Sequence, residues 1–186
     1  MGAAPEQPPA RLVISLLAGE EAARTRALAR LVRRLGPLVE LSRPLPFDCS
    51  DYYQAEMGPG LTRRLAVFQR LVPLEELAGV KRLCLEIEAE LSREGRRRVN
   101  LDPGLLNAGA WMLATTKYRN HRICLARGLY AEATLLYQHG GFEPLPWTYP
   151  DYAGQGLRRL LEGYRRRYLW QLKTQAAKGD PKCPNP

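Results

Sequence analysis

The chain has 186 residues, carries a formal net charge of +9, and is 45% apolar and 25% charged. This length suits one domain with a sizeable core, and the composition excludes disordered, collagen-like and mucin-like chains. No apolar run approaches the roughly 20 residues of a membrane-spanning helix, and the start of the chain lacks the basic residues of a secretory signal. We therefore expect a protein that neither crosses a membrane nor is exported.

The cysteines indicate the cellular compartment of the protein, and the basic residues indicate the class of molecule that it binds. Cys49, Cys84, Cys124 and Cys183 are far apart and have only two histidines to assist them. This argues against a zinc cluster or a disulfide framework and favours a reducing cytoplasm. Arginine dominates the 28 basic residues, and much of the excess lies in residues 153–186. Such a balance favours nucleic acid as a partner, although charge runs more often form solvated faces.

The first half of the chain predicts three strands and two helices. The strands are rich in branched apolar residues, and the helices repeat apolar residues at intervals of three and four. In chain order these elements are strand 11–17, helix 20–35, strand 38–45, strand 65–72 and helix 73–93. The first three form a β-α-β start.

The second half predicts a short strand, a compact apolar helix, three strands and a closing helix. Glycine and proline mark the connections between these elements. The elements are strand 98–101, helix 105–114, strands 121–125 and 129–137, a strand near Phe142 and helix 157–173.

Together these elements predict an α+β fold. We expect a single domain whose mixed sheet has a β-α-β start and an antiparallel meander in its second half, flanked by helices. The domain is expected over residues 11–175. Mobile tails are expected at 1–10 and 176–186, where proline and small residues sustain no regular element.

Three polar segments are candidates for a site, and the first is the long connection over residues 46–60. Its carboxylates are candidates for holding a hard cation such as Mg²⁺, and they are Asp48, Asp51 and Glu56. The structural alternative is that Asp48 and Ser50 cap a helical turn. Candidate ligand contacts are an aromatic ring and two guanidinium groups that suit a phosphate: Tyr52, Arg63 and Arg64.

The second segment, residues 96–104, ends a predicted strand at a polar corner. Strand ends of this kind often bind ligands in sheets that are flanked by helices. Asn100 is therefore a candidate ligand contact, and Asp102 is a candidate metal ligand or base. The structural alternative stays open, because Asp before Pro-Gly is also an ordinary turn residue.

The third segment, residues 143–152, combines three prolines with aromatic rings. Such a segment suits either a rigid strap or a platform on which a base stacks. Its candidate ligand contacts are Trp147, Tyr149 and Asp151.

Four further candidates lie outside these segments. Thr116 and Lys117 offer a hydroxyl and a cation to a phosphate, but they follow a predicted helix whose dipole disfavours anions at that end. Glu132, on a predicted strand, either faces solvent or points into a polar site. His121 is the better candidate of the two histidines for a catalytic pair with a serine or a cysteine, and a structural role is its alternative. The sequence contains no P-loop, dinucleotide-binding, nucleophile-elbow or zinc-protease motif.

An ordered series of motifs resembles a known family. The motifs are Pro46-Phe47-Asp48, Asp51-Tyr52-Tyr53, Glu56-Met57-Gly58-Pro59-Gly60, Val99-Asn100-Leu101-Asp102-Pro103-Gly104, Ala114-Thr115-Thr116-Lys117, His121-Arg122-Ile123, Tyr130-Ala131-Glu132 and Pro146-Trp147-Thr148-Tyr149-Pro150-Asp151-Tyr152. The series resembles the bacterial family called domain of unknown function 4416, and the resemblance covers roughly residues 11–170. The resemblance implies a free-standing cytoplasmic bacterial protein and no established activity.

Three functions stay open at this point. The first is a site for a nucleotide or another small phosphorylated ligand, where the three polar segments converge. If that site is catalytic, a carboxylate holds Mg²⁺ or acts as base, and the candidates are Asp48, Asp51, Asp102 and Glu132. The second function is an RNA- or DNA-binding module that uses the arginine-rich helices. The third is a structural or partner-binding protein whose aromatic and proline segments brace the fold.

Overall fold

A computed structural model describes residues 7–49 and 53–179, with the side chains of residues 178 and 179 excepted. A 3₁₀ turn at Leu74–Glu76 precedes the third helix. The elements in chain order are β1 (Ala10–Ala18), α1 (Glu21–Leu35), β2 (Leu38–Leu41), β3 (Leu45–Pro46), α2 (Gln54–Met57), β4 (Thr62–Val72), α3 (Leu77–Leu91), β5 (Asn100–Leu106), β6 (Ala110–Thr115), β7 (Ile123–Ala126), β8 (Leu129–Gln138), β9 (Gly141–Pro144), α4 (Pro150–Ala153) and α5 (Gln155–Gly179).

The described strands form one open sheet in the order β2-β4-β1-β5-β6-β8-β7, with β3 paired to β4 and β9 paired to β8. Every described pairing is antiparallel. The α+β single domain and the antiparallel second half are therefore confirmed. The predicted mixed pairing is corrected, because β4 lies between β1 and β2 and separates the two strands of the β-α-β start.

Helices cover both faces of the sheet. On one face α1 and α3 pack against alternate residues of β1, namely Leu12, Ile14 and Leu16. On the other face α5 packs against Val13 and the fully buried Trp111. β1 is buried along its whole length, which explains why its residues are apolar except for Arg11 and Ser15, since a strand covered on both faces has no solvent-facing side. Each fully buried Leu or Val contributes about 1.5–3 kcal/mol to stability.

Most predicted elements are confirmed, and one is wrong. The predicted helix over 105–114 is a hairpin of β5 and β6, because Asn107 makes a turn there. Its Oδ1 accepts hydrogen bonds from the backbone N–H groups of Gly109 at 2.9 Å and Ala110 at 2.8 Å. The strand before it also continues through Asp102-Pro103-Gly104, which therefore does not open a helix.

The boundaries at the two ends also differ from prediction. β1 begins at Ala10, and α5 continues to Gly179, past the predicted end of the closing helix at residue 173. The predicted tails over residues 1–10 and 176–186 otherwise lie mostly outside the described residues. Within the described part of the chain, no helix is both long and apolar enough to cross a membrane.

Candidate functional site

The candidate site is a cavity between β5 and β6. These strands pair over three residues, from Leu106 with Trp111 to Gly104 with Leu113, and their described ladder ends there. Beyond the Gly104–Leu113 pair the two strands no longer pair with each other: residues 100–103 of β5 still pair with β1, and Ala114 and Thr115 of β6 still pair with β8. A cavity of about 360 Å³ lies in this opening, within the roughly 300–1,000 Å³ typical of small-molecule sites. We call it the fork cavity.

Charged side chains from several elements line the fork cavity. Its described wall carries six cations and four carboxylates. The cations are Arg63, Lys81, Arg97, Lys117, Arg119 and Arg122, and the carboxylates are Glu88, Asp102, Glu132 and Asp151. Aromatic rings complete the wall, and they belong to Phe47, Tyr53, Tyr149 and Tyr152.

Lys81 and Asp102 form an ion pair at the wall. Lys81 comes from α3, and its Nζ lies 2.8 Å from the carbonyl oxygen of Leu101 and 3.0 Å from Asp102 Oδ1. Asn100 Nδ2 donates to the other carboxylate oxygen of Asp102 at 2.6 Å. Burial alone would raise the pKa of Asp102, but the charges of Lys81 and Arg63 hold it below its ordinary value. Asp102 is therefore an anion at neutral pH.

Arg63 reaches the cavity from β4 and is almost completely buried. Its Nη2 lies 2.5 Å from Asp151 Oδ2, and its Nη1 donates to Tyr152 Oη at 3.0 Å and to Ser15 Oγ. Its guanidinium also lies 4.7 Å from the ring centroid of Tyr152 and 5.2 Å from that of Phe47. The Nε–H is buried and has no hydrogen-bond partner.

The charge on Arg63 is retained despite burial. Burial lowers the pKa of the guanidinium, and its neighbours Tyr152, Asp151 and Asp102 more than offset that effect, so the pKa lies above its ordinary value. The cavity wall therefore contains a permanent cation, and the Nε–H of that cation is a buried donor without a partner.

Arg97 connects the cavity to the segment before β4. It binds Glu56 through two hydrogen bonds of 2.8 and 2.7 Å, and it donates to Asn100 Oδ1 at 3.2 Å. Its Nη1 lies 3.6 Å from Glu88 Oε2. Glu88 is buried on α3, and its Oε1 accepts the backbone N–H of Leu101 at 2.6 Å. Burial raises the pKa of Glu88, and Lys81 opposes this.

Glu132 on β8 contacts Arg122 and His121 through its carboxylate. Its Oε2 accepts from Arg122 Nε at 2.6 Å and lies 3.0 Å from His121 Nε2. The His121 ring stacks on Trp147 with centroids 4.7 Å apart and an interplanar angle of 8°. Trp147 Nε1 donates to the carbonyl oxygen of Ala133 at 2.8 Å. Glu132 is therefore buried in the site rather than facing solvent.

The rim of the cavity is the loop after β6. Thr116, Lys117 and Arg119 of this loop line the cavity beside Thr115, the last residue of β6, and Lys117 Nζ lies 5.7 Å from the ring centroid of Tyr53. The expectation that a helix dipole disfavours anions here is corrected, because this loop follows a strand.

Some of the candidate residues from the sequence line the fork cavity, and others lie away from it. All three polar segments contribute to the fork cavity, and the candidates on its wall are Arg63, Asn100, Asp102, Thr116, Lys117, Glu132, Tyr149 and Asp151. The candidates away from its wall are Asp48, Glu56, Arg64, His121 and Trp147. Asp51 and Tyr52 lie outside the described residues.

The candidates away from the wall have identifiable positions. Arg64 points to the other face of β4, as strand alternation requires, and its Nε donates to the carbonyl oxygen of Ser42 at 2.7 Å. Asp48 lines a smaller neighbouring cavity of about 260 Å³. Glu56 is held by Arg97. His121 and Trp147 stack on each other behind Glu132.

The predicted acidic cation site is not assembled by the described residues. Glu56 forms its bidentate contact with Arg97, so it does not join Asp48. Among the residues that the structure describes, no group of three or more His, Cys, Asp and Glu side chains is placed to hold a metal ion.

Five charged residues of the wall were not among the sequence candidates: Lys81, Glu88, Arg97, Arg119 and Arg122. For two of them a signal was available. Lys81 and Glu88 are seven residues apart and share the inward face of α3 with apolar residues such as Cys84. Charged residues within an apolar helix stripe indicate a buried ion pair or a polar site.

Sequence comparison relates this chain to a known family. Neither the curated proteins nor the solved structures include a match to this chain. The family model described as "Domain of unknown function (DUF4416)" matches residues 8–168, a span that contains all the described lining of the fork cavity. The chain therefore belongs to the DUF4416 family.

Proposed function

We propose that the chain binds a small phosphorylated molecule, such as a sugar phosphate or a nucleotide, in the fork cavity. Cations exceed carboxylates on the described wall, so the cavity favours an anionic ligand. Its volume of about 360 Å³ suits one small molecule rather than a polymer.

The observation that carries the proposal is the buried guanidinium of Arg63. A buried donor without a partner costs about 1–3 kcal/mol, and the Nε–H of Arg63 is such a donor. Arg63 forms part of the cavity wall. A phosphate in the cavity would be a negatively charged partner for this guanidinium, whose Nη groups already bind Asp151, Tyr152 and Ser15.

The carboxylates support binding without a metal held by the protein. Asp102 pairs with Lys81, Asp151 with Arg63, Glu132 with Arg122, and Glu88 lies near Arg97. These carboxylates neutralise the interior cations and leave hydrogen-bond acceptors for the hydroxyl or amine groups of a ligand. Mg²⁺ in this proposal arrives with a nucleotide, coordinated by its phosphates.

The test is a thermal-shift and calorimetric titration that uses a variant to obstruct the cavity. The probes are inorganic phosphate, ribose 5-phosphate, AMP and GTP, each with and without Mg²⁺. Thr116 is exposed at the rim, so Thr116→Trp fills the entrance without disturbing the core. The matched control is Thr25→Trp, because Thr25 is an exposed residue of α1 outside the cavity.

We expect at least one probe to stabilise the wild type and Thr25→Trp, and to lose its effect in Thr116→Trp. Removing one exposed rim cation in Arg119→Gln should weaken binding by up to about fivefold. Arg127→Gln, in the β7–β8 turn, should leave binding unchanged. A response that survives in Thr116→Trp would place the ligand elsewhere, and silence of all probes would contradict the proposal.

We also propose that the protein is cytoplasmic and that it is bacterial, as the family resemblance implies. Among the described cysteines, Cys49, Cys84 and Cys124 are free thiols, which is the state favoured by a reducing compartment. Fractionation of cells that express the native gene, with immunodetection of the protein, tests this localisation. Recovery from the membrane or extracellular fraction would contradict it.

A further inference from the structure

The outward face of α5 carries a line of basic residues around an exposed tryptophan. Arg159, Arg166, Trp170 and Lys173 are separated by seven, four and three residues, spacings that place them on one side of a helix. All four are exposed, and Trp170 is 69% exposed. The opposite side of α5 packs on the sheet through Leu157, Leu161 and Tyr164. We call this line the α5 stripe.

Other arginines of α5 have structural roles, in contrast to those of the stripe. Arg158 donates to the carbonyl oxygens of Ala153 and Phe142. Arg165 donates to the carbonyl oxygen of Ala108 and lies 3.4 Å from the ring centroid of Tyr137. Arg167 Nη2 lies 2.6 Å from Glu40 Oε2.

The stripe residues make none of these contacts. No described residue forms an ion pair or a side-chain hydrogen bond with Arg159, Arg166 or Lys173. The cations of the stripe are therefore available to a partner.

We propose that the α5 stripe binds single-stranded nucleic acid. Its cations would contact phosphates, and Trp170, which lies between Arg166 and Lys173, would stack on a base. Alternation of cations with an aromatic ring is the arrangement that sequence-tolerant single-strand binding uses. A duplex keeps its bases stacked inside, so it offers no free base face to Trp170. The stripe spans about 21 Å of helix, which is long enough for several nucleotides.

This surface is independent of the fork cavity. None of the described residues that line the cavity belongs to α5. Variants of the stripe should therefore leave the response to small phosphorylated molecules unchanged, so the two proposals succeed or fail separately.

The first test measures the fluorescence anisotropy of a labelled short single-stranded oligonucleotide, RNA or DNA, over a series of salt concentrations. Arg159→Gln combined with Arg166→Gln should lower the slope of log affinity against log salt by about 1.4, since each single-strand phosphate contact contributes about 0.7. The matched control is Arg26→Gln with Arg33→Gln. Arg26 and Arg33 are exposed, seven residues apart, and on α1 at the other face of the sheet.

The second test addresses stacking. Trp170→Ala should weaken binding about fivefold to hundredfold, and Trp170→Phe should restore part of the loss. Circular dichroism confirms that the variants are folded. Any of four results would overturn the proposal: no binding at low salt, an equal loss in the α1 control, unchanged binding by Trp170→Ala, or binding to vesicles of phosphatidylserine without binding to the oligonucleotide.

Discussion

Lys81 Nζ lies 3.0 Å from Asp102 Oδ1, and this ion pair joins helix α3 to strand β5 at the point where the sheet opens. The Lys81 side chain is 4% exposed and that of Asp102 is 24% exposed. The pair thus connects the helix to the strand and places one cation and one anion on the cavity wall.

The first prediction concerns this ion pair. Lys81→Met should destabilise the protein by about 2–4 kcal/mol, because it removes the ion-pair partner of Asp102, a largely buried anion. The range is below that of a fully buried pair because Asp102 is partly exposed to the cavity. Adding Asp102→Asn should recover part of the loss. Urea unfolding monitors the change, and Arg30→Gln, which removes a surface partner of Glu90, should cost less than about 1 kcal/mol.

The second prediction is a dependence of stability on pH. The folded-state pKa of Asp102 is lowered from its ordinary value of 3.8 by Lys81 and Arg63, against the opposing effect of burial. A lowered pKa in the folded state gives stability that is present above the unfolded value and lost as the pH falls through the folded value. The free energy of unfolding should therefore decrease below about pH 4.

The control for this pH dependence is Asp102→Asn, measured by chemical unfolding at each pH. Its curve should be flatter than that of the wild type in the same acidic range, because the titrating group has been removed. Parallel curves for the two proteins would show that other carboxylates cause the acid instability.

The third prediction concerns the β5–β6 hairpin, whose paired residues adjoin the fork cavity. A Cβ on Gly104 would lie 2.4 Å from Trp111 Cη2 and 2.7 Å from the carbonyl oxygen of Met112. Gly104→Ala should therefore destabilise the protein by about 1–3 kcal/mol through overpacking. At Gly109 the nearest atom would be 4.0 Å from the new Cβ, so Gly109→Ala should change the urea midpoint only slightly. Equal effects of the two variants would contradict this account.

The fourth prediction separates two roles of Trp147. Its ring stacks on His121, and its Nε1 donates to the carbonyl oxygen of Ala133. Trp147 therefore helps to hold His121 next to Glu132. Trp147→Ala should lower stability by about 1–3 kcal/mol and leave a ligand-induced rise in melting temperature largely intact. Selective loss of the ligand response with unchanged stability would instead indicate that Trp147 is a direct contact.

Local sequence patterns predicted most of the fold but misread the β5–β6 hairpin. The patterns of β1, α1 and the β7–β8 hairpin are unambiguous, because branched residues, helical spacing and glycine turns agree there. Residues 105–114 are short and apolar, a case in which strand and helix have similar patterns. The Asn107 turn decides between them through hydrogen bonds that composition does not reveal.

The site was predictable as a set of polar segments but not as a set of contacts. Asp102 and Glu132 are polar residues on strands next to apolar ones, and this pattern made them candidates. Their partners Lys81 and Arg122 come from elements that only the tertiary fold brings close. Whether Glu56 faces Asp48 or Arg97 also depends on the path of the chain between β3 and β4, which no periodicity describes.

The central place of β1 has a consequence for the synthesis of the protein. Among the described strands β1 leaves the ribosome first, yet its neighbours β4 and β5 end at Val72 and Leu106. Until Leu106 has emerged, the nascent chain exposes at least one unpaired edge of a largely apolar strand, and such edges promote aggregation. Pairing of β1 also requires contacts between residues distant in sequence, which slows folding. The nascent chain should therefore depend on chaperones more than that of a helical protein of equal length does.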